Sequence, residues 1–179
     1  MTSRYIYVDE SKRSRYVLVA VGLTDPAPIR RVVRGLILPG QRRLHMVRER
    51  DSRRREILSA LAATQVEATI YNAARRYRTD REARAMCLTA LVEDLVTAGE
   101  DSHIAIEQDD SLVDSDETTL YRSVHRPGRP ERARTLHYDH ERATIEPLLT
   151  LPDALAWAWS KAGDWRRRAD PVISAVRQV

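Results

Sequence analysis

Apolar residues gather in two short runs near the start of the chain, Tyr5-Ile6-Tyr7-Val8 and Tyr16-Val17-Leu18-Val19-Ala20-Val21-Gly22-Leu23, with a brief polar break between them. Runs of that length, rich in β-branched and aromatic residues, predict an antiparallel hairpin over residues 4–9 and 15–23. Asp25-Pro26 then opens a helix to about Leu38, the acid as cap and the proline in the first turn, and Pro39-Gly40 breaks it. Residues 41–50 are Arg-rich and read as a loop. Asp51-Ser52 begins a second helix with Ile57, Leu58 and Leu61 on one face, and Val66 to Tyr71 is a short strand.

Thr79-Asp80-Arg81-Glu82 has the form of a capping box. The helix it opens carries Ala85, Leu88, Leu91, Val92, Leu95 and Val96 at spacings of three and four, and Gly99 ends it. His103 to Glu107 is a strand that finishes in an acid. Asp114 to Val124 reads as a short helix, Arg126 to Pro130 as a turn, Arg134 to Tyr138 as a last strand, and Thr150 to Ala162 as a helix closed by Gly163. The order β-β-α-α-β-α-β-α-β-α predicts a mixed sheet with helical cover.

At 179 residues the chain is expected to form one domain, residues 1–179, with a core of its own. The basic residues are almost all Arg, Lys12 and Lys161 being the lysines. Arg-coding bias explains that as well as function does, so the net charge of +4 carries little weight. Its distribution carries more. Residues 1–56 have a balance of +8, residues 57–120 of −8, and residues 121–179 of +4. Such a chain can fold an acidic centre between Arg-rich flanks, or simply present a solvated surface of mixed sign. Cys87 is the single cysteine, which excludes an internal disulfide and a multi-cysteine zinc site. The N-terminus runs into a strand without a secretory apolar region, and no apolar run is long enough to span a bilayer as a helix. A cytoplasmic protein without membrane attachment is the expectation.

The chemistry-bearing candidates are carboxylates at strand ends. Asp9-Glu10-Ser11 closes the first apolar strand. Desolvating carboxylates is costly, so acids placed there should reach water or a cation. If the strand continues, Asp9 and Glu10 point to opposite faces, and Asp9 is the first choice for the site. Glu107 ends its own strand, and Asp109, Asp110, Asp114, Asp116 and Glu117 follow it closely. The last three suit the positive end of a helix. Locally, Asp153 reads as the reciprocal capping partner of Thr150. His45, among Arg42, Arg43, Arg48 and Arg50, reads either as an exposed loop histidine or as a phosphate contact and proton shuttle. Trp157 and Trp159 read as core or partner surface. No Gly-rich phosphate loop, nucleophile elbow or His-Glu-x-x-His pattern is present.

Together, Tyr-Ile-Tyr-Val-Asp-Glu-Ser at 5–11 and Tyr-Val-Leu-Val-Ala-Val-Gly-Leu at 16–23 resemble the opening of the DUF3800 family. Leu44-His45, Ile104-Ala105-Ile106-Glu107 and Leu151-Pro152-Asp153-Ala154-Leu155-Ala156 are similar to its later segments, with Lys12, Glu107, Thr150 and Pro152 departing from its usual residues. The resemblance implies an α/β, ribonuclease H-like fold: a mixed five-stranded sheet, its first three strands antiparallel, with helices on both faces. It further implies that Asp9, Glu107 and Asp153 converge on Mg²⁺ or Mn²⁺, with Glu10 as a fourth acid.

The expectation is therefore a metal-dependent nuclease or phosphodiesterase acting on RNA, DNA or a hybrid. Its catalytic residues would be Asp9, Glu10, Glu107 and Asp153. Lys12, Arg42, Arg43, His45 and Arg48, helped by Arg53 to Arg55, would meet the nucleic acid. The alternatives are a catalytically inactive module of the same fold that binds nucleic acid or a protein partner, a second copy of the chain included, and a hydrolase of small phosphoesters.

Overall fold

The computed structural model describes residues 3–13, 15–128 and 136–179. Among the described residues, six strands and six α-helices follow in the order β1 (Arg4–Ser11), β2 (Tyr16–Leu23), α1 (Pro26–Leu36), α2 (Asp51–Ala62), β3 (Glu67–Ala74), α3 (Asp80–Ala98), β4 (Ser102–Glu107), α4 (Val113–Val124), β5 (His137–Glu141), α5 (Thr150–Lys161), α6 (Gly163–Ala169) and β6 (Ile173–Gln178). The sheet order is β5-β4-β1-β2-β3-β6. β1, β2 and β3 form an antiparallel meander, while β4, β5 and β6 pair parallel to their neighbours.

Local chemistry sets most boundaries. Asp25 accepts a hydrogen bond from the Ala27 N–H at 3.0 Å, with Pro26 in the first turn. Thr79 caps α3 through the Glu82 N–H at 3.1 Å, and the Glu82 carboxylate reaches back to the Arg78 N–H at 3.0 Å. Gly99 closes α3 in the left-handed conformation, φ 71°.

The sheet separates two cores. Tyr7, Val17, Val19, Val21 and Ile70 pack against α1, α2, α5 and α6, whereas Ile6, Val8, Leu18, Tyr71, Ile104 and Ile106 pack against α3 and α4. Helices therefore cover both faces, as the family resemblance implies.

The expectation of five strands needs correction, because β6 is a sixth. Its residues are mostly exposed, and it lies at the sheet edge beside β3. Without a buried face it carries no period-two alternation to read. Its hold comes from distant groups instead: Arg177 donates to Glu93 at 2.6 Å and also to Asp94 and the Ala90 carbonyl. Gly163 likewise does not end the helical region; it begins α6 after a sharp bend at Ala162. Residues 129, 130, 134 and 135, which the sequence assigns to a turn and a strand start, lie outside the described residues.

Arg84 of α3 ties four elements together. It is only 1 % exposed and forks onto Asp116 of α4, with contacts of 2.8 to 3.0 Å, while another nitrogen bonds Glu10 of β1. His140 of β5 contacts the same Asp116 at 3.1 Å. Burial works to raise the Asp116 carboxyl, but hydrogen bonds from His140 and Arg84 and their charges hold it below the usual carboxylate range. Breaking one member of such a buried set leaves charges with no partner. Arg84→Met is therefore expected to lose about 3–5 kcal/mol in a urea melt. A loss under about 1 kcal/mol would show that Glu10 and Asp116 rehydrate or protonate at little cost.

Candidate active site

Strand register places the acids. Asp9 stands opposite Val19, and Glu10 opposite Leu18. Cross-strand partners share a face, so Asp9 points with Val19 toward α5 and Glu10 points with Leu18 toward α3. Ile106 is the parallel partner of Val8, so Glu107, next along β4, comes beside Asp9 and shares the α5 face with Ala105. Asp153 sits in the first turn of α5, which packs across β1 and β2.

Asp9, Glu107 and Asp153 thus line one pocket of about 170 Å³ together with Glu10, Arg43, His45 and Thr150. Glu107 accepts from Arg43 Nη1 at 2.8 Å and from the Ala143 N–H at 3.1 Å. Asp153 accepts from the Met46 N–H at 2.9 Å, and His45 Nδ1 lies 3.2 Å from both of its oxygens. Asp9 accepts from the Glu10 N–H at 2.7 Å and has no cationic partner among the described residues. Burial pushes the Asp9 carboxyl well above the usual carboxylate range, and the charges of Glu10, Asp153 and Glu107 push the same way. Burial also raises Glu107, against the opposing pull of Arg43.

The capping role read for Asp153 is not the one it plays. The turn at Pro147–Leu149 that leads into α5 is capped by Glu146, which accepts from the Leu148 N–H at 3.0 Å, and the Thr150 hydroxyl has no hydrogen-bond partner among the described residues. Asp153 is free to hold the loop at His45 and Met46 instead. Glu10 lines the pocket edge, but its carboxylate is engaged by Arg84 and by Lys12 at 3.2 Å.

Of the residues expected to meet nucleic acid, Lys12 bridges Glu10 and Asp109, while Arg43 and His45 sit in the acidic pocket. Arg42 and Arg48 are exposed on the loop. Arg53 and Arg54 are taken up in the fold: Arg53 pairs with Glu56 at 2.6 Å, and Arg54 donates to the Met46 and Val47 carbonyls and lies over Trp157. Arg55 lies over Trp165. Arg84, Asp116 and His140 went unread as a unit, although Arg84, Leu88, Leu91 and Leu95 share one helical stripe and an Arg on an apolar stripe was the available signal.

The donor set is all carboxylate oxygen, which suits a hard divalent cation. Among the described residues, however, no group of three or more His, Cys, Asp or Glu side chains is gathered to hold a metal ion as it stands. Arg43 and His45 occupy the outer two acids.

No protein-family model matches the chain, and no curated protein sequence matches it. Among solved structures it is similar to a chain of the PCNA:RNase HII complex from Archaeoglobus fulgidus, with 13 % identity, 90 % of this chain and 73 % of that chain covered, and a TM-score of 0.56. At that identity the likeness concerns the fold, and an α/β architecture of the ribonuclease H-like kind fits it. No helix among the described residues is long and apolar enough to cross a membrane.

The raised Asp9 carboxyl has a consequence for stability. Between the ordinary carboxylate range and its raised value, folded chains hold a proton that unfolded chains release. Stability from this group is therefore present at low pH and lost as pH rises through that window. In EDTA at neutral pH, Asp9→Asn is expected to melt above the wild type, by roughly 2–4 °C for each kcal/mol relieved. Identical melting curves across pH would show that Asp9 carries no such repulsion.

Proposed function

We propose that this chain is a metal-dependent nuclease of ribonuclease H-like fold, related to the DUF3800 family, in which Asp9, Glu107 and Asp153 hold Mg²⁺ or Mn²⁺. One observation carries the reading. Asp9 is a desolvated carboxyl without a cationic partner among the described residues, and β4 and α5 bring two further carboxylates, Glu107 and Asp153, to its pocket. The fold likeness to a chain of an RNase HII complex supports it.

A divalent cation bound there would supply positive charge to activate water and to stabilise the leaving oxygen of a phosphodiester. The chain's own groups do the rest. The Glu10 N–H fixes one oxygen of Asp9, and Arg84 fixes Glu10. Arg43 and His45 must leave Glu107 and Asp153 for the ligand set to close. Having moved aside, the Arg43 guanidinium can hold a phosphate oxygen and the His45 imidazole can carry a proton. Arg42 and Arg48, exposed on the same loop, add sequence-independent attraction for the backbone.

A second reading has its own support. Arg43 already neutralises Glu107 and His45 already contacts Asp153, as in a module that binds without cleaving.

Melting the protein in EDTA, Mg²⁺ and Mn²⁺ beside Asp9→Asn separates the two, with cleavage of labelled RNA and DNA followed in parallel. The nuclease reading expects stabilisation of the wild type by millimolar cation, about 2.7 kcal/mol at a hundredfold excess over Kd. It also expects loss of both that gain and the cleavage in the mutant. A folded Asp9→Asn that still cuts sinks the assignment of Asp9. Absence of both a cation shift and cleavage leaves the binding module.

A further inference from the structure

A cleft of about 920 Å³ lies apart from the acidic pocket. It opens where β2 begins, β3 and β6 end, and α5 turns into α6. Three arginines, Arg15, Arg75 and Arg166, line it, and no Asp or Glu does. Arg15 and Arg166 have no carboxylate partner among the described residues. A cleft whose charged lining residues are all arginines is a place for an anion.

Its wall also carries a ready-made stacking surface. Arg166 lies over the Trp159 ring at 3.2 Å from the centroid, so indole and guanidinium are already layered. Ser160 is in the same wall, and its hydroxyl has no hydrogen-bond partner among the described residues. The backbone is unusual there too. Ala74 (φ 51°) and Ala162 (φ 58°) are the non-glycine residues with positive φ among the described residues, and both line this cleft. At Ala162, ψ is −166°, a combination that glycine adopts almost alone. Strained backbone persists where the surroundings fix it, and such positions gather at ligand sites.

Position links the cleft to the acids. Trp159 lies six residues beyond Asp153 on α5, about 9 Å along the helix axis. Val17, in the cleft wall, is two residues from Val19, the cross-strand partner of Asp9, about 7 Å away. A strand with one phosphodiester at Asp9 would therefore carry its neighbouring phosphates into the arginines.

We infer that the Arg15–Arg75–Arg166 cleft binds single-stranded nucleic acid, with arginines on the phosphates and an unpaired base stacked on the Arg166–Trp159 layer. A recessed wall with a stacking plane suits unpaired bases better than a duplex, whose bases are already stacked. Single-strand binding at the cleft stands on its own observations. Delivery of the strand to Asp9 rests on the nuclease reading above.

The test is fluorescence anisotropy of labelled 12-nucleotide oligo(U) and oligo(dT), in EDTA and over a series of salt concentrations. It uses the wild type, Arg15→Ala/Arg166→Ala, Arg15→Lys and Asp9→Asn, all checked for folding by circular dichroism. The wild type is expected to bind at least one oligonucleotide, with log K falling linearly in log salt. The double variant should bind at least ~10-fold more weakly, its slope smaller by roughly 0.7 for each arginine removed. Arg15→Lys and Asp9→Asn should keep binding, and an unlabelled 12-base-pair duplex should compete poorly. Unchanged affinity and slope in the folded double variant would overturn the inference, as would equal competition by duplex or no wild-type binding at low salt. Because Asp9→Asn keeps the cleft, loss of cleavage with binding intact reports on the nuclease reading separately.

Discussion

The pleat of β1 is the constraint on which the rest depends. Consecutive residues of a strand face opposite sides, so Asp9 and Glu10 cannot share an environment. Register against β2 decides which goes where: Asp9 follows Tyr7 and Val19 toward α5, and Glu10 follows Val8 and Leu18 toward α3. A slip of one residue would exchange the two carboxylates and both apolar sets with them. The meander from β1 to β3, buried on both faces, makes such a slip prohibitive.

The two faces then treat their acids in opposite ways. On the α3 side Glu10 and Asp116 meet Arg84, and His140 completes a compensated set that joins β1, α3, α4 and β5. On the α5 side Asp9 has only a backbone N–H as partner among the described residues, and burial and neighbouring acids push its carboxyl up. A stabilised ion cluster thus backs a destabilised carboxyl at the end of one strand. That pairing is expected where a fold keeps a site poised for a ligand rather than optimised for stability. The loop of residues 41–50 is the adjustable part. It is held to the acids by Arg43, His45 and the Met46 N–H, contacts that a cation or a phosphate can exchange for its own.

Arginine abundance says little by itself, because the fold assigns these residues very different work. Arg84 is a buried strut, Arg53 and Arg54 bind carbonyls and aromatic faces around α2, and Arg177 pins the edge strand. Arg15 and Arg166 are left facing a cavity. The basic, acidic, basic succession along the chain is not what builds the acidic pocket: of its four acids only Glu107 lies in the acidic stretch 57–120, and Arg43 is the arginine that lines it.

By itself the sequence determined the opening hairpin, the capped helices α1 and α3, a mixed sheet with helical cover and the presence of Asp9, Glu107 and Asp153 at element ends. Each rests on short-range chemistry: β-branched runs, an Asp or Thr cap, apolar spacing of three and four, a strand that stops at a charge. Only the tertiary structure decided what those carboxylates touch. Asp153 looked like a cap because Thr150 stands three residues before it, yet Glu146 does the capping and Asp153 holds a loop more than a hundred residues away in the chain. Strand β6 was hidden because its pairing with β3 and its anchor at Arg177 are contacts of long sequence separation, with no buried face to mark them. The cleft was hidden for the same reason: Arg15, Arg75 and Arg166 are distant in sequence, and the pairing of β2 with β3 and the turn of α5 into α6 bring them together.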